Sequence, residues 1–65
     1  MKAPQFDSER LTFLRDLDHA ADIEVTDFEA KFIESALKFS STAPAFSDRQ
    51  RIVIDEMFHT YGYRL

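Results

Sequence analysis

The sequence predicts an all-α fold, a small three-helix domain with the second helix central. Three observations carry that expectation. Two helix-start signatures, Thr26-Asp27-Phe28-Glu29 and Ser47-Asp48-Arg49-Gln50, each set a hydroxyl residue three positions before a Glu or Gln. This is the reciprocal pattern of a capping box: the hydroxyl accepts an orphan first-turn N–H, and the Glu or Gln reaches back to the cap's own N–H. Apolar residues recur at helical spacing in three separate stretches. Helix breakers are scarce, with one Gly and two Pro among 65 residues.

The first helix is expected over about 8–21, capped by Asp7 or Ser8 after a short extended lead. At about 100° per residue, Phe13, Leu14, Leu17, Ala20 and Ala21 share one face, and Leu11 falls at its edge. Asp22-Ile23-Glu24-Val25 reads as an extended connector. The second helix, about 27–39, has the widest apolar arc, from Phe28, Phe32, Ile33, Ala36, Leu37 and Phe39. That width is why it is expected at the centre, touched on two sides. Glu29 interrupts the arc, which its capping role explains. Residues 40–46 form a loop, because Pro44 disfavours helix at Ala43 and Ser40, Ser41 and Thr42 compete for backbone groups. The third helix, about 48–61, puts Val53, Ile54, Met57, Phe58 and Tyr61 on one face. Gly62 then stands where a left-handed C-cap is common, with Tyr63 as its hydrophobic contact.

The whole chain reads as one domain, 1–65. A chain this short buries only about 60% of its unfolded surface, so its margin of stability is narrow. No cysteine is present to staple it. Seven Phe and two Tyr compensate, since each buried ring removes roughly 150–250 Å² from water. The formal net charge of −4 argues against general binding to nucleic acid or anionic membrane, which needs a positive surface. No apolar run is long enough to span a bilayer and no signal-peptide pattern is present, so a cytoplasmic location and no membrane contact are expected.

Four groups of residues could carry function. Asp16, Asp18, His19 and Asp22 hold metal-ligand types at helical spacing. A solvated acidic face explains them more simply, and no metal or cofactor is expected. Asp55 and His59 lie at i,i+4, yet no nucleophile or oxyanion-hole signature accompanies them, so no catalytic residue is assigned. Arg49, Gln50 and Arg51 open the third helix as the reading residues of a helix-turn-helix do. Against that stand the long 40–46 connection, the charge of Asp48 and the capping duty of Gln50. Ile52 projects from the polar side of its helix among charges, the pattern of a small interaction patch, unless Tyr63 and Leu65 cover it. Phe46, Arg49, Glu56 and the edge residue Leu11 complete the candidate partner-binding set.

The stretch Val25–Tyr61 resembles a short helical segment of phage and prophage proteins of DNA metabolism. The matching residues are Thr26, Phe28, Glu29, Phe32, Ile33, Ser35 and Leu37, then Ser47, Arg49, Gln50, Val53, Ile54 and Tyr61. Most are caps and core, so the resemblance implies a fold and a phage or bacterial origin and transfers no functional residue. Residues and resemblance together favour a non-enzymatic protein–protein interaction module, a small accessory protein acting on nucleic-acid machinery. Its partner is a protein or a second copy in a homodimer. The alternative is a helix-turn-helix-like DNA-binding domain using the third helix, and direct nucleic-acid contact ranks below a protein partner.

Overall fold

The computed structural model describes residues 3–38 and 45–65. Three helices form, α1 (Asp7–His19), α2 (Asp27–Lys38) and α3 (Asp48–Tyr61), followed by a 3₁₀ turn over Gly62–Arg64. The all-α, three-helix expectation holds. Phe39 and residues 40–44, the end of the expected second helix and most of the expected loop, lie outside the described residues.

Both capping boxes close. Glu29 N–H donates to Thr26 Oγ1 at 3.1 Å and Thr26 N–H to Glu29 Oε1 at 2.8 Å. Gln50 N–H donates to Ser47 Oγ at 3.2 Å and Ser47 N–H to Gln50 Oε1 at 2.8 Å. The start of α1 differs from expectation: neither Asp7 nor Ser8 caps it. Phe6 holds the N-cap position without a side-chain acceptor. Glu9 Oε1 supplies half a box, accepting from the backbone N–H groups of Phe6 and Gln5 at 3.0 and 2.9 Å. The Asp7 carboxylate is drawn instead to α3.

α1 stops at His19, two residues short of the expected end, and Ala20 has extended backbone at the C-cap. A turn closed by Ile23 N–H on the Ala20 carbonyl then leads to α2. That turn drives Ile23 into the core at 8% exposure.

The central helix is α1, where α2 was expected. α1 packs against both other helices, while α2 and α3 touch only sparsely. Burial follows this geometry. α1 buries Leu11, Phe13, Leu14 and Leu17, whereas α2 buries Ile33 alone. A helix packed on two sides needs a wide apolar arc, and Leu11 to Phe13 spans about 160° of α1. α2, packed on one side, leaves Phe28 at 66% exposure although the sequence places it in the apolar arc. Phe28 lies about 140° around the helix from Ile33, which explains its exclusion.

From α3 come Ile54, Met57 and Tyr61. Leu14 and Ile54 are fully buried, each contributing about 1.5–3 kcal/mol by leaving water. Phe13 of α1 meets Phe58 of α3 edge to face, with ring centroids 5.4 Å apart. With Asp7 bonded to Arg51 and Arg10 to Asp55, this pairing shows that α1 and α3 run in the same direction.

Gly62 is not left-handed. Its φ of −57° and ψ of −30° continue α3 into the 3₁₀ turn, and Tyr63 makes no capping contact, being 87% exposed. Glycine avoids crowding there: a Cβ at this position would lie 3.0–3.1 Å from Phe58 ring atoms and the ring would have to give by a few tenths of an ångström.

Candidate functional site

The start of α3 is tied to α1 by charge. Asp7 Oδ1 accepts from Arg51 Nε at 3.0 Å and Oδ2 from Arg51 Nη2 at 2.9 Å, a two-pronged pairing of guanidinium and carboxylate. Arg10 Nη1 adds a bond to Oδ1 at 3.2 Å, and Phe46 N–H donates to Oδ2 at 3.1 Å. Arg10 Nε also reaches Asp55 Oδ1 at 3.2 Å, and Arg51 Nη1 reaches Asp48 Oδ1 at 3.2 Å. The Arg51 hydrogen bonds hold the Asp7 carboxyl down at about 2 from its ordinary 3.8. Burial opposes that, and the Phe46 N–H and the charges of Arg51 and Arg10 reinforce it.

These contacts place most of the residues singled out above. Arg51, a candidate for reading DNA, spends its guanidinium on Asp7 and Asp48. Gln50 spends its carbonyl on the capping box. Of that trio only Arg49 is exposed with neither an ion pair nor a capping bond among the described residues. Leu11 and Phe46, proposed for partner binding, are core residues at 5% and 9% exposure. Leu11 is buried because α1 is central, and Phe46 because Asp7 fastens its backbone N–H to α1. Neither offers a surface to a partner.

Ile52, Arg49 and Glu56 do reach solvent. Ile52 is 60% exposed, about 160° around α3 from the buried Ile54. The tail does not cover it, since Tyr63 is 87% exposed and Leu65 39%.

One turn along α3 from Ile52, Glu56 borders a shallow groove that opens where α2 and α3 barely meet. Thr26, Phe28 and Glu29 form its α2 side, and Val53, Glu56, Met57 and Thr60 its α3 side, enclosing about 250 Å³. Phe28 leans on Phe32 with ring centroids 6.3 Å apart. Glu29 anchors one wall, accepting from Tyr61 Oη–H as well as from Thr26. Burial pushes its carboxyl up, but the hydrogen bonds from Tyr61 and Thr26 outweigh that and hold it below the usual range, so it is charged at neutral pH. The sequence gives no sign of the Tyr61 bond, which joins positions 32 residues apart. The exposure of Phe28 follows from its angle to Ile33 once a single side of α2 is covered.

The other candidates do not assemble. Asp16, Asp18, His19 and Asp22 are all exposed. Among the described residues no three His, Asp or Glu converge as a metal site would require. Asp55 bonds to Arg10 and not to His59. No helix among the described residues is long and apolar enough to cross a membrane. In comparisons with known proteins, the chain matches no family model, no curated protein and no solved structure.

Proposed function

We propose that this chain is a non-enzymatic protein–protein interaction module, a small phage or bacterial accessory protein acting on nucleic-acid machinery. It docks through the α3 surface around Ile52 and the adjoining groove. The observation that supports this reading is the placement of Ile52 and Phe28, apolar side chains 60% and 66% exposed, beside the charges of Arg49 and Glu56. Large apolar side chains that the fold itself does not use, ringed by polar ones, are the usual anatomy of a docking patch.

The DNA-binding alternative through Arg49, Gln50 and Arg51 has less to stand on. Two of those three side chains are committed inside the domain, and the net charge is −4. Affinity for duplex DNA would have to fall steeply with salt and with Arg49→Ala.

The deciding experiment compares immobilised wild-type chain with Ile52→Asp in bacterial lysate, with bound proteins identified by mass spectrometry. The proposal expects a protein retained by the wild type and lost with Ile52→Asp, at unchanged helical circular dichroism. Equal retention by both, or by neither, counts against it.

A further inference from the structure

The groove between the start of α2 and the second half of α3 has a chemistry that selects among partners. Its apolar lining comes from Phe28, Val53 and Met57. The two charged residues among those that line it, Glu29 and Glu56, are both acidic. Glu29 is held in its charged form by Thr26 and Tyr61. Glu56 is exposed and makes no ion pair among the described residues. Arg49, one turn before Val53, stands outside the lining. At about 250 Å³ the groove is below the roughly 300–1,000 Å³ typical of small-molecule pockets, which suits a side chain delivered by a polypeptide.

We propose that this groove receives a cationic amphipathic segment of a partner protein, an apolar side chain seated on Phe28, Val53 and Met57 and a Lys or Arg set between Glu29 and Glu56. The inference rests on the reading of the chain as an interaction module and specifies the partner's chemistry. Charge complementarity is the argument: an acidic rim favours a basic segment in encounter and in register, and penalises an acidic one. A second copy of this chain docked groove to groove would bring its own Glu29 and Glu56 against the same pair, a like-charge penalty that a basic segment does not meet.

Two synthetic peptides test this, an amphipathic Leu/Lys helix and the same sequence with every Lys replaced by Glu. Each is titrated into ¹⁵N-labelled protein. The expected result is that the Leu/Lys peptide moves the amides of Phe28, Glu29, Val53, Glu56, Met57 and Thr60, and the Leu/Glu peptide does not. Glu56→Gln should weaken binding about two- to fivefold, the share of one exposed ion pair. Phe28→Ala should weaken it about tenfold or more, as loss of an apolar anchor does. Phe28 and Glu56 lie outside the core, so both variants keep the fold.

Shifts centred on Asp16, Asp18 and Asp22 would reveal nonspecific attraction to an acidic face and overturn the inference. So would equal binding of both peptides, or no binding of either. If a lysate protein is still lost with Ile52→Asp in any of those cases, the module reading survives while the cationic partner does not. Self-association that Phe28→Ala abolishes would also overturn it, making a second copy the occupant.

Discussion

Replacing Asp7 by Asn should remove a large share of what joins α1 to α3. In the folded chain its carboxylate accepts two bonds from Arg51, one from Arg10 and one from the Phe46 backbone. Lowering a carboxyl from 3.8 to about 2 is worth about 2 kcal/mol at neutral pH. The Asp7 side chain is only 12% exposed, but Arg51 is 41% exposed, so solvent screening reduces the figure to about 1–2 kcal/mol. For a domain of this length that corresponds to a fall in Tm of roughly 5–15 °C. The sign with pH follows from the depressed value. The contribution is complete above the unfolded carboxyl's range near 4 and is lost as pH falls toward 2. Urea unfolding from pH 7 to pH 2.5 should therefore show wild type and Asp7→Asn converging in acid. A double-mutant cycle with Arg51→Met should give a coupling of about 1 kcal/mol or more. Parallel stability curves down to pH 2.5, together with a coupling near zero, would refute the reasoning.

Three further outcomes follow from the packing. Leu11→Ala should cost about 2–4 kcal/mol and Ile52→Ala less than about 0.5, because one is 5% and the other 60% exposed; thermal melts of the two variants give the comparison. Gly62→Ala should lower stability by about 1 kcal/mol in urea unfolding although alanine favours helix, since its Cβ presses on the Phe58 ring that Phe13 holds in place. Tyr61→Phe should cost about 1 kcal/mol by removing the bond to Glu29. The hydrogen bond to Glu29 raises the Tyr61 hydroxyl above 10.0, helped by burial and the Glu29 charge and opposed by Arg64. Wild-type stability should therefore decline as pH rises through and beyond 10.0, with a smaller decline in Tyr61→Phe, measured by urea unfolding at alkaline pH.

The starts of α2 and α3 are local facts, and the sequence alone determined them. Thr26 with Glu29 and Ser47 with Gln50 sit within hydrogen-bonding reach of each other along the chain, so the starts of α2 and α3 need no tertiary contact to be placed. Apolar spacing likewise marks the buried Phe13, Leu14, Leu17, Ile33, Ile54, Met57 and Tyr61.

What only the tertiary structure decided is which helix has two neighbours. The apolar arcs of α1 and α2 are both wide, and periodicity does not say which is covered on both sides. Packing of α1 between the other two buried Leu11, released Phe28 and opened the groove that adjoins Ile52. The bonds that hold this arrangement across helices, Asp7 to Arg51 between α1 and α3 and Glu29 to Tyr61 between α2 and α3, join residues 44 and 32 positions apart. Pairings at such separations depend on loop closure and on the summed packing of the whole domain, and no local pattern encodes them.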